Sequence, residues 1–247
     1  MNNRKFLLIS NSTNAGEAYL QWCKPMIQNF CERHNVKTAL FIPYAGVKVG
    51  YKHYAVGYDA YEEKVKDNFN ELGISIKSLH RENNVIDVVK AAECVIVGGG
   101  NTFCLVYEMQ RLGIMDLIAQ RVREGMPYIG WSAGSNIASP TLCTTNDMPI
   151  VEPLSFKTMN LVPFQINPHY TEFFDEKHGG ETRMDRINEF IEVNRNVNVV
   201  GIPEATALSF ENSSLKLIGR NNKLKVFHYA TEPKEYSKED DINFLML

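Results

Sequence analysis

The chain is 247 residues long, which allows one sizeable hydrophobic core and, on length alone, one or two domains. Its 44% hydrophobic and 22% charged residues are an ordinary globular balance. The formal net charge of −3, with no basic cluster, argues against a nucleic-acid or anionic-membrane surface, because those partners demand a basic field. No apolar run approaches the roughly 18 residues of a membrane span, and Met1 to Lys5 carries too little apolar length for a signal peptide. The expectation is a soluble, cytoplasmic protein. Cys23, Cys31, Cys94, Cys104 and Cys143 are odd in number and show no C-x-x-C spacing. They read as buried apolar side chains in a reducing compartment, and nothing in the sequence requires a metal or a cofactor.

Taken in order, Phe6-Leu7-Leu8-Ile9 is a short apolar strand running into the turn-rich Ser10 to Gly16. A helical pattern follows from Glu17 to Glu32, with Pro25 set to kink it or to start a new turn. Thr38 to Ile42 is a second strand, closed by Pro43. Gly46 to Gly57 has no clear period and reads as a loop that borders a site. Helical spacing from Tyr58 to Leu72 stops at Gly73, and Ile74 to Leu79 alternates as a third strand. A helix at Val85 to Ala92, a strand at Cys94 to Val97 and helices at Phe103 to Leu112 and Met115 to Glu124 lead to a buried strand at Met126 to Ile129. Strands alternating with helices in units of about 30 residues predict a parallel sheet with helices on both faces.

Ligands of such sheets bind outside the carboxyl ends of the strands. That rule picks out Ser10, Pro43, His80, Gly98 to Asn101 and Ser132. After this strand the pattern loosens. Thr144 to Pro149 is a polar loop, Leu161 to Ile166 is strand-like and ends in Asn167-Pro168-His169, and His178-Gly179-Gly180 is a loop before a helix from Thr182 to Val193, with Thr182 as its cap. Val197 to Ile202 is a strand ending in Pro203-Glu204. Runs at Ala207 to Phe210, Leu215 to Ile218 and Leu224 to Phe227 predict an antiparallel edge or ribbon. One α/β domain over residues 1–247 is expected, with 231–247 an extension of no assigned place.

Gly130-Trp131-Ser132-Ala133-Gly134 sits between a strand and a small-residue segment that opens a helix. Gly-x-Ser-x-Gly in that context is a nucleophile elbow: a sharp strained turn lifts the serine, and the flanking glycines let backbone pack where a Cβ would clash. The pattern alone occurs by chance in roughly one chain of this length in fifteen, so a serine that merely caps the helix is the competing explanation. Gly98-Gly99-Gly100-Asn101-Thr102 matches neither phosphate-binding glycine pattern, since no lysine follows and Phe103 stands where a third glycine belongs. Its bare backbone, through Gly99 and Gly100, is a candidate to join the Ala133 amide in an oxyanion hole, with Asn101 a helix cap or a substrate-binding residue.

A serine nucleophile needs a base and the base needs an orienting carboxylate. Among His34, His53, His80, His169, His178 and His228, the first and last read as surface residues, whereas His169 ends a strand behind the rigid Pro168 and is favoured. Glu204, behind Pro203, and Asp147, in the loop between serine and histidine, are both candidates for the acid. Spacing does not separate them.

Together, Gly98-Gly99-Gly100-Asn101-Thr102, Gly130-Trp131-Ser132-Ala133-Gly134, Thr144-Thr145-Asn146-Asp147-Met148-Pro149, Ile166-Asn167-Pro168-His169 and Gly180-Glu181-Thr182-Arg183 resemble the peptidase E family of α-aspartyl dipeptidases, over most of the chain from Phe6 to about Glu204. The resemblance implies a three-layer α/β sandwich of the class I glutamine-amidotransferase-like, flavodoxin-like kind, with a mostly parallel central sheet and here a small antiparallel C-terminal ribbon. It implies serine-type cleavage of Asp-Xaa dipeptides without metal or cofactor. Position by position it makes Ser132 the nucleophile, His169 the base, Glu204 or Asp147 the acid, and Arg183 the residue that binds the substrate aspartate. A guanidinium grips a carboxylate through two parallel hydrogen bonds, which suits that last role; pairing of Arg183 with Asp185 or Glu181 is the structural alternative. The chain departs from the family at Ala205, where glycine usually follows the acid, and in its C-terminal extension.

The rival readings are a cyanophycinase-like exopeptidase acting on β-aspartyl links, and a non-catalytic module that binds acidic ligands. A small peptide is the expected partner, with no nucleic acid and no membrane, and a homodimer is the candidate assembly.

Overall fold

Phe6-Leu7-Leu8-Ile9 faces two cores at once. Side chains alternate across a strand, so Phe6 and Leu8 enter one hydrophobic cluster while Leu7 and Ile9 enter another. The computed structural model describes residues 3–47, 54–174, 179–221 and 223–247. The same division recurs in neighbouring strands: Leu40, Ile42, Val95 and Val97 lie on the first face, and Phe41, Ile96 and Trp131 on the second. A sheet buried on both sides explains why these strands read as unbroken apolar runs.

That sheet has seven strands in the order β3-β2-β4-β5-β1-β8-β9. They are β1 (Phe6–Ile9), β2 (Thr38–Ile42), β3 (Ser75–Ser78), β4 (Val95–Val97), β5 (Tyr128–Trp131), β8 (Thr206–Glu211) and β9 (Ser214–Gly219). The first five are parallel, whereas β8 pairs antiparallel with β1 and β9 antiparallel with β8. On the second face pack α1 (Lys24–Arg33) and α2 (Tyr54–Asn70), through Phe30, Val65 and Phe69. The first face carries α3 (Val85–Ala91), α4 (Thr102–Arg111), α5 (Met115–Arg123) and the short α6 (Ala133–Asn136).

A second sheet, in the order β11-β10-β7-β6, contributes to the same first-face core through Ile166, Val200, Ile202 and Val226. It comprises β6 (Gln165–Tyr170), β7 (Val199–Pro203), β10 (Lys223–Phe227) and β11 (Lys234–Ser237), and α7 (Arg183–Val193) closes it from outside with Ile187 and Ile191. β6 and β7 run parallel; β10 is antiparallel to β7, and β11 to β10. The family expectation of a layered α/β fold holds.

Several local expectations need correction. Pro25 does not kink a long helix: residues 15–23 form turns and the proline occupies the first turn of α1, where its missing N–H costs nothing. The three late strands are not one ribbon, since β8 and β9 extend the large sheet while β10 joins the second. The strand expected from Leu161 begins only at Gln165, and it runs through His169 to Tyr170. The loop expected at Gly46 to Gly57 falls partly outside the described residues, as do His53 and His178, and α2 already begins at Tyr54. The extension is placed in part, by β11 and by Ile242 and Leu245, which are buried in the first core. Four cysteines are buried, and burial pushes the Cys23 and Cys31 thiols up to about 12, but Cys143 is exposed. His34, expected at the surface, packs edge-on to Phe30 with its side chain 9% exposed. Among the described residues no helix is long and apolar enough to cross a membrane.

Candidate active site

Ser132 follows directly on β5 and has φ +54°, ψ −111°, a strained conformation for a residue with a side chain. The turn is held from below. Its N–H donates to Ile9 O at 3.0 Å, its carbonyl accepts from the Ser135 and Asn136 amides, and Ser135 Oγ donates to Ile9 O and Gly130 O. Gly134 is required by close approach, since a Cβ there would stand 2.2 Å from Val97 O. These contacts hold the strain where it is.

His169 also has positive φ, +54°, at a register shift in the β6–β7 pairing between Pro168 and Tyr170. A bulge re-aims a side chain that a regular strand would point elsewhere. Its imidazole Nε2 lies 3.0 Å from Ser132 Oγ, and its Nδ1 lies 2.8 Å from Glu204 Oε1. An ionised carboxylate can only accept, so Nδ1 carries the hydrogen and the Nε2 lone pair faces the serine hydroxyl. Glu204 comes from the turn after β7, the strand paired with β6, which is why two residues 35 positions apart meet.

Asp147 has a different setting. Its Oδ2 accepts from Thr102 N at 2.7 Å, Thr102 Oγ1 at 2.6 Å and Thr145 Oγ1 at 2.9 Å. Thr102 is the first residue of α4, so the carboxylate satisfies an otherwise free helix-start amide and sits at the positive end of the helix. Asn101 caps the same helix, accepting from Cys104 N, and its amide donates to Met148 O. On the other side Asn146 Nδ2 donates to Pro168 O, and Asn167 Nδ2 to Asn146 Oδ1 and Thr144 O. The 144–148 loop thereby ties the start of α4 to the strand that carries His169.

Each glycine of Gly98-Gly99-Gly100 leaves room for a different neighbour. A Cβ on Gly98 would meet Tyr61 Oη at 2.3 Å, one on Gly99 would meet Ser132 Cβ at 2.8 Å, and one on Gly100, at φ +138°, would meet Ala45 O at 2.0 Å. Tyr61, on α2, was not singled out by the sequence. It donates to Gly99 O at 3.0 Å and accepts from Trp131 Nε1 at 3.1 Å, and burial pushes its hydroxyl up to about 12. Among the described residues the amides of Gly99, Gly100 and Ala133 donate to no protein acceptor.

Two cavities flank this centre. One, of about 300 Å³, is lined by Ser132, His169, Gly99, Gly100, Tyr19, Tyr61 and Lys64 among others. The other, of about 340 Å³, is lined by Arg183 with Thr145, Asn146, Asp147 and Asn167. Arg183 pairs with neither Asp185 nor Glu181: Asp185 forms a reciprocal cap with Thr182, and Glu181 pairs with Arg186. Its guanidinium is half-buried; burial lowers its pKa while Asp147 acts to raise it.

A second feature missed in the sequence is the pair after β1. Ser10 Oγ accepts from His169 N at 2.9 Å and donates to Ile202 O at 2.8 Å, and Asn11 Oδ1 accepts from Ala205 N at 2.9 Å. The strand-end rule marks Ser10, but its partners lie 159 and 192 positions away.

The profile of peptidase family S51 matches residues 6–218. The chain is 45% identical over 244 residues to a Nostoc sp. protein named peptidase E, covering 99% of this chain and 97% of that one. It is 39% identical over 219 residues to a Haemophilus influenzae peptidase E, covering 89% of this chain and 97% of its relative. The solved structure of a peptidase from an acI-B1 Actinobacterium superposes with a TM-score of 0.68 at 17% identity, over 98% of both chains, a likeness of fold. The match to the Nostoc protein includes most of the C-terminal extension.

Proposed function

The chain belongs to peptidase family S51 and is a serine-type peptidase; on that premise we propose that it releases N-terminal aspartate from Asp-Xaa dipeptides, with Ser132 as nucleophile, His169 as base and Glu204 as orienting acid. The observation that carries this reading is the continuous contact from Glu204 Oε1 through both imidazole nitrogens to Ser132 Oγ, at 2.8 and 3.0 Å. Ser132 Oγ attacks the aspartyl carbonyl as its proton passes to His169 Nε2, and Glu204 stabilises the imidazolium. The unengaged amides of Gly99, Gly100 and Ala133 are the donors for the oxyanion. Collapse of the intermediate sends the same proton to the leaving amine, and water then hydrolyses the aspartyl ester by the reverse sequence of transfers.

Arg183 is the proposed reader of the substrate's side-chain carboxylate, in the cavity it lines with Asn146, Asp147 and Asn167. Asp147 is proposed as a positioning residue that holds the loop and the start of α4, and as the negative neighbour that keeps Arg183 oriented. The same reading takes the enzyme as cytoplasmic, with small peptides rather than nucleic acid as partners, in keeping with its net charge of −3.

Hydrolysis of α-Asp-Leu tests the assignment. Ser132→Ala should lower kcat by several orders of magnitude with the fold intact, and Glu204→Gln by roughly 10²- to 10⁴-fold. Arg183→Met should weaken α-Asp-Leu far more than Asn-Leu. Full activity in Glu204→Gln together with inactive Asp147→Asn would transfer the acid role to Asp147. Cleavage of β-Asp-Leu in place of the α-linked peptide would favour the β-aspartyl reading.

A further inference from the structure

The peptide between Gly99 and Gly100 has glycine on either side, so no Cβ contact restrains the rotation of its plane. Its neighbours are tied by backbone: Gly98 N–H donates to Ile42 O at 3.3 Å, and Asn101 N–H to Ala45 O at 2.8 Å. The peptide itself is held by a side chain, since Tyr61 Oη donates to Gly99 O at 3.0 Å. In a trans peptide the carbonyl and the following N–H point in opposite directions, so this bond also turns the Gly100 N–H away from Tyr61. The same hydroxyl accepts from the indole Nε1 of Trp131 at 3.1 Å, and Trp131 is the residue before Ser132. Phe41 supports both rings, stacked on Trp131 and edge-on to Tyr61. Gly98 makes room for the contact, because a Cβ there would stand 2.3 Å from Tyr61 Oη. With its hydroxyl pushed up to about 12 by burial, Tyr61 keeps its proton at neutral pH and stays a donor.

We propose that Tyr61 is a positioning residue of the oxyanion hole: one hydroxyl ties the glycine loop to the elbow, and so sets the Gly99 and Gly100 amides relative to the Ala133 amide. The inference rests on the assignment of Ser132 and of these three amides above. Negative charge develops on the carbonyl oxygen only as Ser132 Oγ bonds the carbonyl carbon, and donors fixed beforehand stabilise it without reorganising. The two sources of donors are separate, since the loop follows β4 and the elbow follows β5. Tyr61, on α2, bonds to both. Without its hydroxyl the Gly99–Gly100 plane is free to rotate. Half a turn puts the Gly99 carbonyl oxygen where the Gly100 N–H was, and its lone pairs repel the oxyanion. Tyr61 therefore acts on the transition state through Gly99 O, and leaves ground-state binding of the peptide to other contacts.

The test uses the full enzyme and Tyr61→Phe, which keeps the ring that walls the cavity and removes only the hydroxyl. Two inhibitors separate the states. In the first, an aldehyde replaces the α-carboxyl of aspartate; Ser132 Oγ adds to its carbonyl carbon as the serine proton passes to His169, which places an oxyanion in the hole. The second, the reduced peptide Asp-ψ[CH₂NH]-Leu, has no oxygen there. Tyr61→Phe should lower kcat for α-Asp-Leu by roughly ten- to hundredfold with little change in KM, as expected when oxyanion donors are displaced rather than deleted. The Ki of the aldehyde should rise by the factor by which kcat/KM falls, while the Ki of the reduced peptide and the pH profile of kcat/KM stay as in wild type. Gly98→Ala, which pushes the hydroxyl aside and leaves the tyrosine in place, should give the same pattern. Unchanged kcat in Tyr61→Phe overturns the inference. So does a loss shared equally by aldehyde and reduced peptide, which would make Tyr61 a wall of the cavity and no more. An aldehyde that binds wild type no better than Ser132→Ala would instead remove the serine-nucleophile reading on which the inference depends.

Discussion

Ala205 follows the proposed acid and has φ +60°, a backbone conformation that an L side chain enters at a cost of roughly 1–2 kcal/mol and glycine enters freely. Its N–H is held by Asn11 Oδ1 and its carbonyl accepts from the Arg220 and Asn221 amides, so the surroundings enforce the conformation. The resemblance leads to glycine at this position, and the turn is sharp here: the chain reverses between β7 and β8 to present Glu204 to His169. Ala205→Gly should therefore raise stability, by about 0.5–1 kcal/mol after the greater unfolded-state entropy of glycine is subtracted. Thermal and urea unfolding of the two proteins measure this. A loss of stability would mean that the turn bears no strain at Ala205.

At the scale of elements, α1 ends in a pH-sensitive contact. Burial, with the charges of Lys5 and Arg33, lowers the His34 pKa from 6.5 to about 4. Its Nε2 lies 3.3 Å from Glu211 Oε2 but makes no aligned hydrogen bond, and Arg33 already pairs with that carboxylate, so the glutamate does not draw a proton onto the ring. With the folded value below the unfolded one, the unfolded chain binds the proton first. Stability is then complete above pH 6.5, falls as pH drops toward 4 and levels off below. His34→Gln removes the titrating ring. Between pH 7 and 5 the variant should lose about 1–2 kcal/mol less than wild type, read from the midpoints of urea unfolding at the two pH values. Equal losses would place the acid sensitivity elsewhere. The elements themselves were largely legible, because β1, β2 and β4 are apolar on both faces and α4 and α7 have clear starts, capped by Asn101 and by the Thr182–Asp185 pair. What the pattern could not show was sheet membership. β7 carries an apolar run like those of β1 and β2, and β10 alternates as β3 does, so only pairing places them in the second. Likewise Ser132 and His169 stand out by motif and by a neighbouring proline, whereas the contact of Glu204 with His169, and the engagement of Asp147 by Thr102, depend on tertiary pairings that spacing does not encode.

The proposed centre lies where the two sheets meet, and Ser10 is one polar link across this joint. β1 belongs to the large sheet, while His169 and Ile202 belong to β6 and β7 of the second; Ser10, fully buried just after β1, bonds both. Its backbone amide also donates to Thr206 O, so one residue links the end of the central strand to β6, β7 and β8. Ser10→Ala would leave the His169 N–H and the Ile202 carbonyl without their partner in the interior, where each unpaired group costs about 1–3 kcal/mol. The variant should lose about 2–6 kcal/mol in urea unfolding, on the sum of the two. Function should suffer separately from stability. The His169 amide sits at the bulge that aims the imidazole, and a shift of about 1 Å in a base can cost on the order of 10²-fold in rate. At a temperature where Ser10→Ala is fully folded, kcat for α-Asp-Leu should fall while KM changes little, because neither cation-bearing cavity is lined by Ser10. A Ser10→Ala protein as stable and as active as wild type would mean that the bulge at His169 is held by the β6–β7 pairing alone. A fall confined to stability would make Ser10 a bond between sheets with no part in aiming the base.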